Sequence, residues 1–365
     1  MTKLASVLAI LWLVSTAGLS AAETPTARAT ARWTPTAPFT ASRITSIAVT
    51  PAGISFVIAF SPEGVFRSAD QGHTWTLVQP APGPLKVKAF DPRSPRTLFA
   101  VRRVGFSDLL FKSTLAGRQW SQLLAPLEPR RFCTARGDDC FITMDAFAVD
   151  PQHSGTALLA GAYLAQTIPT LGLYMLHTDD GFSTWTGLAF PYQVFGHNPV
   201  TSLAIDPERR NEFYALTCGA LFKSVDAGAN WQAAGAGLPA ELCANPGSSL
   251  LSIDRRRPDF VYVGTRGAGV YASLDRGRTF RPLNRGIEKT NIASLLIDPH
   301  DSRKLYVGIA GRGVFRWVKS NQAWVPINTG LSTADFEGVL TIDPQHSTVL
   351  YAGTRTGAVF RFATP

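Results

Sequence analysis

Apolar residues in this chain come in short runs of four or five, split by turn-forming residues, and no long stretch carries a 3.6-residue apolar period. Thr201-Ser202-Leu203-Ala204-Ile205 and Ser294-Leu295-Leu296-Ile297 each run into Asp-Pro. After the second come Leu305-Tyr306-Val307-Gly308, Gly313-Val314-Phe315-Arg316 and a further strand at an aromatic. Runs of this length, rich in Val, Ile, Leu and aromatics and bounded by Gly and Pro, predict β-strands joined by tight turns. The marker that opens each turn recurs at Thr50-Pro51, Asp91-Pro92, Asp150-Pro151, Asp206-Pro207, Asp254-Arg255, Asp298-Pro299 and Asp343-Pro344. Seven markers, 41 to 59 residues apart, predict seven units of four antiparallel strands. Units of that length and strand number build the blades of a β-propeller around a central channel.

The chain ends test this all-β reading, because a propeller closes only when its first and last blades join and leave no open sheet edge. In the sixth unit the outer-strand box begins at Trp317, 19 residues after Asp298, so the seventh would begin near residue 362, and the chain ends at Pro365. At the other end Trp33 precedes Thr50 by 17 residues, the spacing of the outer strands elsewhere. The strand at Trp33 is therefore expected to complete the seventh blade, and the propeller to span residues 33–365.

Three units carry a turn of the form Ser-x-Asp-x-Gly-x-x-aromatic: Ser68, Asp70, Gly72 and Trp75; Ser224, Asp226, Gly228 and Trp231; Ser273, Asp275, Gly277 and Phe280. A fourth, Thr178 to Trp185, is read with Asp179 and Gly181 as its members. Ser113 to Trp120 keeps Gly117 but has Leu115 for Asp, and Trp317 to Trp324 keeps only the final aromatic. The chain resembles the Asp-box (BNR-repeat) propellers over essentially Trp33 to Pro365. The box has a structural explanation: Asp accepts backbone N–H groups across a turn, Gly takes positive φ, and the aromatic packs between sheets. In the families it resembles the boxes lie away from the active centre, so these residues are assigned to structure.

Residues 1–22 begin with Lys3, continue as an apolar run and end in Ser20-Ala21-Ala22, the layout of a signal peptide. An uncleaved anchor is the rival, but Leu4 to Val14 is too short to cross a bilayer core of about 30 Å. Residues 23–32 read as a linker, and the mature chain as exported, periplasmic or extracellular. The formal charge of +9 is scattered through turns, its densest run being Arg255-Arg256-Arg257, which argues against nucleic acid. Four cysteines in an exported chain favour disulfides, and proximity pairs Cys133 with Cys140 and Cys218 with Cys243. Metal binding is disfavoured, since no Cys-x-x-Cys is present, and no cofactor is expected.

In a four-stranded meander the loops from strand two to three and between blades emerge on one face, and the marker turns and boxes on the other. The longest insertions, Ser121 to Met144, Gly161 to Leu171 and Gly187 to Pro199, fall on the first of these faces. They hold Arg130, Arg131, Arg136, Asp138, Asp139, Tyr163, Tyr192 and His197. Arg266, Arg312 and Arg355 recur in strand-two-to-three loops, where three guanidinium forks are candidates for one anion; a repeat consensus on a solvated loop is the plainer reading. The candidate ligand-binding set is therefore Arg266, Arg312, Arg355, Arg136, Asp138, Asp139, Tyr192 and His197.

Sialidases share the boxes but are similar to a six-bladed design with Arg-Ile-Pro and a Tyr nucleophile; here the motif is Arg43-Ile44-Thr45, and Tyr262, Tyr306 and Tyr351 share one repeat position. Xyloglucan-degrading enzymes resemble the chain in their seven-bladed units but pair two propellers around a cleft. Asp138, Asp139, Asp145, Asp335 and Glu337 are the acidic residues from which a catalytic pair would come. The chain also resembles the photosystem II stability and assembly factor family, single exported propellers that act as scaffolds. The expectation is a monomeric non-catalytic scaffold binding a protein or glycan through its loop-rich face, with a glycoside hydrolase as the alternative.

Overall fold

A computed structural model describes residues 31–363, apart from 51–55, 81–84, 92, 95, 105–106, 124–139, 166–171, 191–198, 241 and 243–248. Blade 1 shows how the repeat folds. Its strands are Ser46–Val49, Val57–Ser61, Gly64–Ser68 and Thr76–Pro80, each hydrogen-bonded to the next. Ser46–Val49 faces the channel, and Val57–Ser61 is buried throughout because sheets cover both its faces, which is why it reads as a continuous apolar run. The same meander returns in all seven sheets, and no helix occurs among the described residues. The predicted all-β, seven-bladed propeller is the observed fold.

The marker side chains explain the turns. Asp91, Asp150, Asp206, Asp254, Asp298 and Asp343 are buried. Each accepts backbone N–H bonds from the residues two and three further on, as Asp206 does from Glu208 (2.9 Å) and Arg209 (3.0 Å). In blade 1 Thr50 substitutes, its hydroxyl accepting the Phe56 N–H at 2.9 Å.

The outer aromatics lie between blades, as expected. Seven apolar clusters hold the described core, one at each junction, and each contains one member of the series Trp33, Trp75, Trp120, Trp185, Trp231, Phe280 and Trp324. Trp33 is the seventh. Its strand, Arg32–Pro35, pairs antiparallel with Val359–Ala363 and completes the last blade, with Trp33 opposite Phe362. The closure inferred from the chain ends is thus the observed one.

The box turns also follow expectation, with one correction. Ser273 Oγ accepts the Gly277 N–H (2.8 Å) and donates to Asp275 Oδ1 (2.7 Å), while Asp275 accepts from Thr279 N (2.9 Å) and Oγ1 (2.6 Å). Positions four and five of the turn both take positive φ: Gln71 and Gly72, Ala227 and Gly228, Arg276 and Gly277. In blade 3 the acceptor is Asp180, not Asp179: Asp180 accepts from Thr178 Oγ1, Ser183 N and Thr184. Gly181 is accordingly at position four, and Phe182 carries φ +75° where the other boxes have glycine. The box read with Asp179 and Gly181 as its members is therefore one residue out at both positions: Asp180 is the acceptor and Phe182 fills the glycine slot. Burial of Phe182 against Phe99, ring centroids 4.8 Å apart, offsets the backbone cost.

Candidate active site

The channel opens on two faces. One mouth is a cavity of about 290 Å³ lined by Asp254, Asp298, Pro299 and Pro344, the marker turns. The other, about 710 Å³, is lined by the entries to the inner strands and by Arg266 from a strand-two-to-three loop. This is the face assigned to function from the loop lengths.

Four of the inner strands break register where they meet the larger cavity. Pairing shifts between Val87 and Ala89 in blade 2, Val200 and Ser202 in blade 4, and Phe336 and Val339 in blade 7. In blade 3 the inner strand is split into Cys140–Ile142 and Ala146–Val149, both paired with Ala157–Ala165. The residues inside these irregularities, Lys88, Thr201, Glu337 and Asp145, all line the cavity. A bulge turns toward the channel a side chain that strict alternation would bury in the sheet.

The blade 3 break is the most elaborated. Thr143 and Asp145 keep backbone bonds to Ala162 O and Ala160 O (3.0 Å each), and Ala162 N–H bonds to Thr143 Oγ1 (3.0 Å). The Thr143 carbonyl accepts the Tyr174 hydroxyl at 2.6 Å and lies over Gly161, where a Cβ would fall 1.8 Å from its oxygen. Only glycine at 161 leaves room for this path. The result presents the Asp145 carboxyl to the cavity, with Thr143 Oγ1 donating to its Oδ2 at 2.9 Å.

Blade 2 supplies the other half. Its hairpin strands, Leu98–Val104 and Ser107–Ser113, are seven residues long against five in blade 1, and Asp108 stands near the hairpin tip, opposite Arg103. Asp108 is bonded to Arg103 through both oxygens (2.9 and 3.3 Å) and accepts the Met144 N–H at 3.0 Å, beside Asp145. Lys88 Nζ donates to the Asp145 carbonyl at 2.8 Å. Burial, reinforced by the nearby Asp108 charge, pushes the Asp145 carboxyl above the ordinary carboxylate range. Burial and the neighbouring Lys86 bring the Lys88 ammonium down to about 8. Two neighbouring carboxyls thus differ: one is desolvated and favours its proton, the other is held by a guanidinium fork.

The residues singled out from sequence divide as follows. Asp145, Glu337 and Arg266 line the cavity. Asp335 and Arg355 face each other at 3.8 Å and do not line it, and Arg312 is turned to Ile287 O (3.2 Å) and the Phe315 ring. The three arginines therefore do not converge. Arg130, Arg131, Arg136, Asp138, Asp139, Tyr192, His197, Cys133 and Cys243 lie outside the described residues, as do the side chains of Tyr163 and Cys140. Cys218 is disulfide-bonded. Tyr262, Tyr306 and Tyr351 are buried, in keeping with a structural place. No cluster of three or more metal-ligating side chains occurs among the described residues. Nor does any helix there have the length and apolarity to cross a membrane.

Sequence reasoning passed over Asp108, Lys86, Lys88 and Arg103, and met Arg43 only as part of Arg43-Ile44-Thr45. Two signals were present: Lys86 and Lys88 stand in an inner strand that holds no lysine or arginine in the other blades, and Ser113 lies 22 residues after Asp91 where Ser68 lies 18 after Thr50.

Fold and cavity together define a seven-bladed β-propeller with an acidic pair at one channel mouth. No family model matches the chain. A curated xyloglucanase of Hypocrea jecorina (strain QM6a) is 30% identical over 148 residues, which are 36% of this chain and 17% of that protein. Among solved structures, the GH74 enzyme of Niastella koreensis superposes with a TM-score of 0.62 at 15% identity, covering 89% of this chain and 53% of that one. YCF48 from Cyanidioschyzon merolae superposes with a TM-score of 0.55 at 14% identity, covering 91% and 99%. The chain thus spans about half of the GH74 enzyme and a sixth of the xyloglucanase. The curated similarity, to a xyloglucanase, overturns the expectation of a non-catalytic scaffold and favours the glycoside hydrolase held as the alternative.

Proposed function

We propose that this protein is a glycoside hydrolase of the Asp-box propeller type, acting on a polysaccharide at the bulged channel mouth. The observation that carries the reading is the Asp145–Asp108 arrangement, two carboxyls on adjacent blades in unlike surroundings: burial raises the Asp145 pKa, and Asp108 is held by a guanidinium fork and a backbone N–H. Glycosidic bond cleavage needs both forms: an acid to protonate the leaving oxygen, and a carboxylate to stabilise or attack the positive anomeric centre. Asp145 is the acid, its neutral form favoured by burial and its carboxyl oriented by Thr143. Asp108 is the carboxylate, its position fixed by Arg103 and the Met144 N–H. Export through the N-terminal segment, expected from sequence, agrees with an extracellular substrate, and the xyloglucanase similarity makes xyloglucan the first polysaccharide to assay.

Release of reducing ends from a polysaccharide panel that includes xyloglucan tests the reading. Asp145→Asn, which keeps the shape and removes the proton, is expected to lower kcat by about 10²–10⁴-fold with the fold intact by circular dichroism. Absence of turnover on every member of the panel, or unchanged kcat in both Asp145→Asn and Asp108→Asn, would overturn it.

A further inference from the structure

The charge lining the larger cavity is not balanced. Five cations reach it, Arg43, Lys86, Lys88, Arg103 and Arg266, against three carboxyls. Glu337 is matched by Arg43 at 2.6 Å, and Asp108 by Arg103. The third carboxyl, Asp145, makes no ion pair among the described residues, and even counted as charged it leaves five cations against three carboxylates. Lys86, Lys88 and Arg266 are left without a carboxylate partner among the described residues, so the lining carries an uncompensated positive charge.

Arg266 is the most built of the three. Its main chain is fixed from two sides: its N–H donates to Leu242 O at 3.2 Å, and it bridges to Asn291. Its side-chain Nε is buried and has no hydrogen-bond partner among the described residues. That nitrogen is closed to solvent, so an anion entering the cavity would meet the two terminal nitrogens of the guanidinium. A neutral sugar laid over the mouth would strip water from all three cations and return only hydroxyl oxygens, which costs free energy. An anionic substituent would meet the charge and fit the planar fork in two-point fashion.

We infer that the polysaccharide taken by this cavity carries anionic substituents, carboxylate or sulfate, and that Arg266 binds one of them. Arg266 stands on blade 5, across the channel from the acidic pair of blades 2 and 3, so the anion lies on a sugar other than the one being cleaved or on its far side. Arg266 is thus a specificity residue. The substrate class rests on the hydrolase reading, while the charge preference itself is a binding property and is measured without turnover.

The test is isothermal titration of the full chain with four probes: an oligogalacturonide, the same oligosaccharide after carboxyl reduction, a sulfated galactan oligosaccharide and a neutral xyloglucan oligosaccharide. At least one anionic probe is expected to bind about tenfold or more tightly than the neutral pair, as a charged hydrogen-bonded contact provides. That margin should shrink with added salt. Arg266→Gln should abolish most of the margin without lowering the melting temperature, and Arg266→Lys should retain part of it. Preference for the oligogalacturonide over its reduced form identifies carboxylate as the source, and preference for the sulfated probe alone identifies sulfate. Equal affinity for all four overturns the inference while leaving the hydrolase reading to its own assay. Tight anionic binding with no cleavage of any glycan upholds the inference and overturns the hydrolase reading.

Discussion

At the residue scale the site depends on two side chains, one present and one missing. Asp145 has a folded-state pKa above its unfolded value, because the folded chain buries the carboxyl. The folded state therefore holds the proton more tightly, and the associated stability is fully present below the ordinary carboxylate range and lost as pH rises through the raised pKa. Melting temperatures of the wild type and Asp145→Asn, compared across that window, should show the wild type falling relative to the variant. Hydrolysis should decline as pH rises through the raised pKa, where the acid loses its proton and the stability difference levels off. The missing side chain is at Gly161. In Gly161→Ala the new methyl meets the Thr143 carbonyl, and the only escape is to move the break that carries Asp145. Overpacking of this kind costs about 1–3 kcal/mol, readable by denaturant titration, and kcat should fall further than a stability loss of that size explains.

At the element scale, blades are held together by apolar junctions and, between blades 4 and 5, by one guanidinium. Arg276, on the blade 5 box turn, bonds Asp206 (2.8 Å) and Glu208 (2.7 Å) on the blade 4 marker turn, and Asp259 (2.8 Å). Asp206 is fully buried, so Arg276→Ala leaves a buried carboxylate without its cation, an effect worth about 3–5 kcal/mol. Substitution at Glu208, which is largely exposed, should cost under about 1 kcal/mol. Denaturation midpoints of the two variants check the contrast. This is also the scale at which the sequence was most legible. Marker, apolar strand, glycine and box repeat in fixed order because each satisfies backbone geometry locally, so blade number, strand order and the place of the box aromatics follow from spacing alone. Blade 3 misled where two aspartates stand side by side, since Asp179 and Asp180 differ only in which hydroxyl and N–H groups the turn brings within reach. The bulges were not legible. A register break leaves no mark on an apolar run, and it alone decides that Lys88 and Asp145 face the channel. Asp145 and Glu337 were reached as acidic residues in loops, while Asp108 was hidden in a hairpin read as an ordinary strand.

At the scale of the whole molecule the cavity exists only if the ring is closed, because all seven blades contribute to its lining. Closure rests on one short strand from the far end of the chain. Trp33 is 1% exposed, donates its indole N–H to Ile327 O at 2.6 Å, and packs 5.2 Å from Phe362. Its backbone N–H bonds to Thr329 O (2.8 Å), tying the strand to the segment before blade 7 as well. Trp33→Ala removes the aromatic that fills the junction between blades 6 and 7 and should cost about 3–5 kcal/mol. Removing residues 1–36 goes further. It strips Val359–Ala363 of its outer partner and presents an unpaired edge, a template for pairing with a second chain. The truncated protein is expected to elute as dimers or larger species in size-exclusion chromatography with light scattering, and to lose activity against any polysaccharide the full chain cleaves. Loss of activity in a truncation that stays a stable monomer would show instead that the strand acts on the site directly. A synthetic peptide of residues 31–37 added to the truncated chain discriminates further: edge pairing predicts that it restores the monomer, since the strand supplies pairing and one aromatic but no side chain that lines the cavity.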